Sequence, residues 1–241
     1  MIELFTWPTP NGQKIQILLE EIGVPYAVKA VNILAGEQFA PDFLAISPNN
    51  KIPAIVDHDA NGEGKKLSVF ETGAILIYLA EKFGAFLPAD LAARTDVMQW
   101  LLFQCSGLGP MLGQATFFRR YAKEDVSSAV ERYTSEATRL YRVLDRRLAG
   151  REWIAGDGYS IADIATFPWV CRYRRQGQNI EEFSNVKAWL ARVSARPAVK
   201  RGMDVLKDVA LAASADAPGV DKLFNGKGDL PAEVKARAQN A

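Results

Sequence analysis

Residues 5–21 read FTWPTPNGQKIQILLEE: a β-prone run, a turn, and the first turns of a helical repeat. The turn offers Thr9, Pro10, Asn11 and Gly12, and no thiol. A helix start leaves backbone N–H groups free and carries the positive end of the peptide dipole, so an anion bound there is stabilised. The Thr9 hydroxyl and the Asn11 amide would add side-chain donors at the same place. These are also the residue types of an ordinary turn, and spacing alone leaves both readings open. A second start of this kind is ETGAILIYLAEKFG, with Glu71 and Thr72 in the first turn of a helical pattern and Gly84 beyond its end. Taken alone, Thr72 reads equally well as a cap of that helix.

The elements that would position these residues follow from the spacing. Ile2 to Trp7 is a strand, and Ile15, Leu18, Leu19 and Ile22 recur at helical intervals. Gly23 with Pro25 just beyond ends that helix, and YAVKAVNI (26–33) is a second strand. Strand, helix and strand in that order make a βαβ unit with parallel strands. ISPNNKIPAIVD follows, a turn and then a short strand opening with Pro53. The Gly/Asn-rich ANGEG connects it to KLSVF (66–70), which alternates as a hairpin partner. The order is β-α-β, then β-β-α.

From Leu91 the pattern is helical. Residues 94–122 read as a long helix kinked at SGLGP. In 127–149, Val130, Tyr133, Ala137, Leu140, Tyr141, Leu144 and Leu148 line one face, while Arg139, Arg142, Arg146 and Arg147 read as the solvated face. YSIADIATF pairs Ser160 at the N-cap with Asp163 at N3, a capping-box variant, with Tyr159 and Ile164 as a hydrophobic staple. Phe117, Phe118 and Tyr121 either wall an apolar pocket or belong to the core. Residues 209–241, rich in Ala, Gly, Lys and Asp, either drape over the helices or are partly disordered.

Composition narrows the class. Of 241 residues, 49% are hydrophobic and 24% charged, as in an ordinary soluble globular protein. Lys and Arg total 29 against 28 for Asp and Glu, and this near-balance argues against a nucleic-acid binder. No apolar run approaches the roughly 20 residues that span a bilayer. The opening MIELFTW is not expected to be a signal peptide, so a reduced, cytoplasmic setting is expected. Two cysteines cannot make a disulfide framework. Cys105 and Cys171 read as small buried hydrophobes, and with His58 the only histidine no metal set is expected.

SPNNKIPAIVD, ETGAILIYLAEK and YSIADIATFPW resemble the cytosolic glutathione S-transferase superfamily. TPNGQKI, QWLLFQCSGLGPMLGQ and ERYTSEATRLYRVLDRRL are similar to its bacterial nu-class members and their fungal Ure2-like relatives. The resemblance covers about residues 1–208. It implies an α/β thioredoxin-like N-terminal domain with a mixed sheet over 1–86, an all-helical C-terminal domain over 87–208, and a C-terminal extension over 209–241. It further implies glutathione as the bound substrate, held at the two converging helix starts. Glu71 would accept from the γ-glutamyl ammonium, and Thr72 would donate to its carboxylate. Pro53 would be cis, turning the backbone of Ile52 toward the cysteinyl unit. Gln38 would contact the glycyl end, with an exposed loop glutamine as the lesser alternative. Lys51 would stand in the turn beside the pocket, and Arg132 would reach bound glutathione or its disulfide. Gln99 is a further candidate contact, and with Trp100 and Gln104 a candidate for reaching across a homodimer interface. Thr9 and Asn11 would point at the glutathione sulfur, where a helix start and a donor lower a thiol pKa from about 8.5. Thioredoxin-like proteins place a reactive cysteine at this turn; here the thiol would arrive with the ligand.

The activity implied is glutathione-dependent disulfide reduction, with weaker transferase or peroxidase activity, by thiolate attack on a disulfide, peroxide or carbon electrophile. The alternative is a non-catalytic, glutathione-binding regulatory protein of the same fold. The lack of an asparagine-rich stretch ahead of the first strand weighs against a close functional copy of the Ure2-like proteins.

Overall fold

A computed structural model describes residues 1–122 and 126–212. The 209–241 extension expected from sequence lies outside the described residues beyond 212.

The first half alternates as the sequence suggested. Strand β1 (Ile2–Thr6) leads into helix α1 (Pro10–Ile22), strand β2 (Tyr26–Ala30), the single-turn helix α2 (Pro41–Leu44), strands β3 (Ala54–Asp57) and β4 (Leu67–Phe70), and helix α3 (Thr72–Phe83). The sheet order is β2-β1-β3-β4, with β1 parallel to β2 and the other two pairings antiparallel. Register runs from Ile2 opposite Tyr26 on one side to Ile2 opposite Asp57 on the other. All four residues of β3 are buried, whereas the edge strand β4 is mostly exposed. β2 stops at Ala30, short of the expected 33, because Asn32 turns the chain by accepting from the backbone N–H groups of Leu34 and Ala35.

Gly23 closes α1 in the left-handed region at φ 76°, its N–H bonded to the Leu19 carbonyl. The helix is buried on every side from Gly12 to Leu19, beyond the stripe that the spacing implied. The reason is that the sheet lies on one side and helices from the second half lie on the other. At one crossing the backbones nearly touch: a Cβ on Gly202 would stand 2.7 Å from Ile17 Cα.

The second half is helical: α4 (Leu91–Phe103), α5 (Gly109–Arg120), α6 (Ser127–Leu148), α7 (Ile161–Val170), α8 (Ser184–Ala195) and α9 (Pro197–Asp204). The kink expected at SGLGP is a π-helical turn over Gln104–Leu108, joining α4 to α5. The core runs unbroken from Leu4 and Ile55 in the sheet, through Leu18 and Leu76, to Leu101, Tyr141 and Trp189. Ser160 and Asp163 form the capping box at the start of α7.

Three sequence expectations need correction. Arg147 is not on a solvated face: it donates to the Ile154 carbonyl, pairs with Asp96 and lies 5.0 Å from the Trp100 ring centroid. The cysteines are only partly buried. Gln104 does not point outward toward a partner; it is 0% exposed and bonded to Lys14 within the same chain. The π-helical turn rotates it inward, off the exposed face that holds Gln99.

Candidate functional site

Three segments on the sheet side converge on one cleft: the turn after β1, the loop before β3, and the start of α3. Helices α5 and α7 form the opposite wall. The cleft comprises two adjoining cavities of about 540 and 350 Å³. Asn11, Lys51, Ile52, Gly113 and Trp169 line both.

At the turn, Thr9 is the N-cap of α1 and its hydroxyl oxygen accepts from the Gly12 N–H at 3.2 Å. Gly12 is required there, since a Cβ would stand 2.2 Å from the Trp7 carbonyl oxygen. Asn11 Oδ1 accepts from Trp169 Nε1 at 3.0 Å. The indole N–H can only donate, so this bond fixes the amide's orientation. The Asn11 NH₂ group is left without an acceptor among the described residues, at the boundary of the two cavities. Thr9 lines the smaller cavity.

The larger cavity holds the second helix start. Glu71, not Thr72, is the N-cap of α3, at φ 70°, and makes no side-chain bond to its own helix. A left-handed glutamate is a strained conformation of the sort that gathers at binding sites. Its carboxylate accepts only a long 3.4 Å bond from Asn49. Thr72 is the first helical residue and faces the cavity, so the simple capping alternative does not hold for it. Ile52 and Pro53 line the same cavity, and the peptide bond between them is cis. Lys51 is exposed between the cavities.

Sequence reasoning passed over Lys14. Its side chain lies 2% exposed in the wall of the larger cavity, and Nζ donates to Thr72 Oγ1 at 3.1 Å and Gln104 Oε1 at 2.7 Å. Burial lowers the Lys14 pKa from 10.5 to about 8, against the opposing pull of Cys105 and Glu71. The signal available in sequence was its position three residues after Asn11, one helical turn along the same face. Cys105 lines this cavity too, contrary to its reading as a buried hydrophobe.

Gln38 is not an exposed loop residue. It is 5% exposed in the wall of the smaller cavity, and its Oε1 has no partner among the described residues. The smaller cavity is cationic, lined by Lys51, Arg172 and Arg175 with no acidic side chain. Arg172 is held in place by Gln13 Oε1 at 2.7 Å and by the Pro168 carbonyl. Phe117 and Tyr121 line the cleft, whereas Phe118 stacks on Tyr133 with ring centroids 5.3 Å apart.

Two candidates lie elsewhere. Gln99 is exposed on α4, bonded to the Thr95 carbonyl of its own helix, and Arg132 is exposed on α6 in a separate depression beside Glu131 and Glu136. Neither lines either cavity. Among the described residues there is no group of His, Cys, Asp or Glu side chains that could hold a metal ion.

The sequence matches the glutathione S-transferase N-terminal domain over residues 1–81 and its C-terminal domain over residues 110–197. The chain belongs to the glutathione S-transferase family. This transferase is 49% identical over 203 residues to the disulfide-bond oxidoreductase YfcG of Escherichia coli, spanning 84% of this chain and 94% of that protein. A solved Pseudomonas fluorescens Pf-5 glutathione transferase family member with two glutathiones bound superposes with a TM-score of 0.80 at 49% identity, covering 84% of this chain and 92% of that one. A Pseudomonas putida glutathione transferase with one glutathione disulfide per subunit gives 0.81 at 45% identity, covering 85% and 91%.

The orphaned polar atoms of this transferase fit such a ligand. A peptide with two carboxylates, an ammonium and a thiol needs donors, acceptors and an anion-stabilising helix start, and the cleft walls carry all three.

Proposed function

We propose that this glutathione S-transferase uses glutathione to reduce disulfides. The observation that carries the reading is the pair of cavities meeting at Asn11, whose NH₂ group has no acceptor among the described residues while its carbonyl is held by Trp169. An amide fixed in this way at the start of α1 favours a thiolate there, through both the hydrogen bond and the helix dipole. Glutathione in the larger cavity meets Glu71, Thr72, Ile52, Pro53 and Lys51; the smaller cavity, with Gln38, Arg172 and Arg175, takes the disulfide. Attack of the thiolate on the disulfide forms one mixed disulfide and releases one thiolate, and a second glutathione completes the exchange to glutathione disulfide and a second thiol. The same thiolate would attack peroxides and carbon electrophiles more weakly.

We further propose a homodimer. Leu91 and Leu102 on α4 and Leu67 and Phe70 on β4 are large hydrophobics left exposed in the single chain. Such an interface is also where Gln99 would reach a partner's ligand. Arg132 keeps a ligand role only if glutathione disulfide extends beyond the two cavities. Among the described residues no helix is long and apolar enough to cross a membrane; a cytoplasmic setting and division into units 1–86 and 87–208 complete the proposal.

The test is turnover of a small model disulfide by the purified protein with glutathione, with glutathione disulfide formation followed by a coupled reductase. Saturable reduction above the uncatalysed rate is expected. Tight glutathione binding without turnover would replace this reading by that of a glutathione-binding regulatory protein.

A further inference from the structure

Lys14 is a buried cation with an incomplete set of partners. Its two acceptors, Thr72 Oγ1 and Gln104 Oε1, are neutral, and among the described residues no acidic oxygen lies within ion-pair distance. An ammonium has three N–H donors, so one remains without an acceptor. Its two bonds also dictate what the acceptors do next. A threonine hydroxyl that accepts from an ammonium has its own O–H left to donate, and among the described residues the Thr72 hydroxyl donates to nothing. A glutamine whose carbonyl is held by an ammonium must turn its NH₂ away, and Gln104 Nε2 is buried with no partner among the described residues. Both residues line the larger cavity, alongside Glu71.

A buried charge without a counter-charge is costly unless a ligand supplies one. The ligand chemistry that matches is a carboxylate set beside an ammonium: the carboxylate for the donors around Lys14, the ammonium for Glu71. We propose that Lys14 is a positioning residue for substrate binding: by holding Thr72 and Gln104 it makes both present donors, and its charge makes this end of the cavity selective for the α-carboxylate of the γ-glutamyl unit. The assignment rests on the proposed function, since it concerns the glutathione bound in that reading. The group acts from beneath Thr72 and Gln104 and has no part in the sulfur chemistry.

The experiment compares S-methylglutathione with its counterpart in which 4-aminobutyryl replaces γ-glutamyl, which lacks only the α-carboxylate. Both are titrated by calorimetry into wild type and Lys14→Met. Wild type should prefer S-methylglutathione at least tenfold, and Lys14→Met should lose most of that preference while binding the decarboxylated ligand within about threefold of wild type. A purely structural role would weaken both ligands alike, and that result overturns the assignment. So does an unchanged preference in the variant. If wild type binds neither ligand, the functional reading falls and this one with it; if wild type binds and only the preference is insensitive to Lys14, the functional reading stands.

Should Lys14→Met fail to fold, the preference is measured against pH. The titratable groups facing the amine are Cys105, from the π-helical turn, and Glu71, at the start of α3. The measurement is made in a Cys105→Ala background. The ligand ammonium titrates at lower pH on the carbon bearing the α-carboxylate than in the 4-aminobutyryl compound, so each free ligand is titrated separately and its own contribution is divided out of the ratio. With the Lys14 pKa at about 8 in the free protein, the preference should be full below that pH and decline above it as the amine loses its proton. A preference that stays flat from pH 6 to 10 overturns the proposal.

Discussion

The starts of α3 and α7 use similar residues to opposite ends. At α7, Asp163 is fully buried and accepts from Ser160 N–H at 3.1 Å, Ile154 N–H at 3.0 Å and Trp189 Nε1 at 2.8 Å, while Ser160 Oγ accepts from Ala162 N–H at 3.3 Å. Each of these bonds is made within the protein. At α3, Glu71 sits at φ 70° and makes no capping bond, and the Thr72 hydroxyl accepts from Lys14 but donates to nothing among the described residues. An acidic residue beside a hydroxyl at a helix start stabilises the fold where its valences are satisfied internally. Where they are left open beside a cavity, the same chemistry is available to a ligand.

The largest test of this contrast is Asp163→Ala. It leaves four buried donors unpaired, the N–H groups of Ile154 and Ser160, the Ser160 hydroxyl and Trp189 Nε1, and a loss of about 3–5 kcal/mol in unfolding free energy by denaturant titration is expected. A loss below 1 kcal/mol would remove the distinction from the α7 side. At the other start, Thr72→Ala or Glu71→Ala should raise the glutathione dissociation constant tenfold to hundredfold, the worth of one charge-assisted bond at about 1.5–3 kcal/mol. Stability should change by less than about 1 kcal/mol in Glu71→Ala, and fall by about 1–3 kcal/mol in Thr72→Ala, which takes one acceptor from the buried Lys14 ammonium. Wild-type affinity in either variant would end the γ-glutamyl assignment.

Lys14 sharpens the comparison through pH. Its pKa is about 8 folded against 10.5 for the free side chain, so between these values the unfolded chain holds more protons. The charge therefore costs stability at neutral pH, and the cost fades as pH rises above about 8. Lys14→Met should stabilise the ligand-free protein by about 1–3 kcal/mol at pH 7, with the advantage shrinking toward pH 10. Equal thermal midpoints at pH 7 would mean that the ammonium is compensated without a ligand.

The smallest effect concerns thiols. Cys105→Ala with Cys171→Ala should leave disulfide turnover within a few-fold, because in the proposed reaction the nucleophile is the bound glutathione. Thr9→Ala with Asn11→Ala should raise the pKa of the bound thiol, cutting the rate at neutral pH about tenfold per pKa unit, with recovery at higher pH. Rate against pH, with thiolate absorbance followed in parallel, reads both. Collapse of turnover in a folded double-cysteine variant would assign the chemistry to a protein thiol.

Much of this was open to a reader of the sequence alone. Gly23 and Gly84 ended their helices where spacing said, the SGLGP kink formed, and YSIAD closed its capping box, because each depends on residues within a few positions of one another. The resemblance pointed to Pro53, Glu71 and Thr72 in the same way, through short contiguous motifs. What only the tertiary structure decided were relations across the fold. Lys14 passes unremarked until α1 is covered on both sides. Gln104 reads as outward-facing until the π-helical turn rotates it, and Arg147 as solvated until Asp96 and Trp100 come beneath it. Asn11 is a turn residue until Trp169, 158 positions away, fixes which end of its amide faces the cleft. Local sequence sets φ, ψ and capping, since those interactions span one turn. Which polar atoms are left unsatisfied is a sum over every element packed around them, and that sum exists only once the chain has closed.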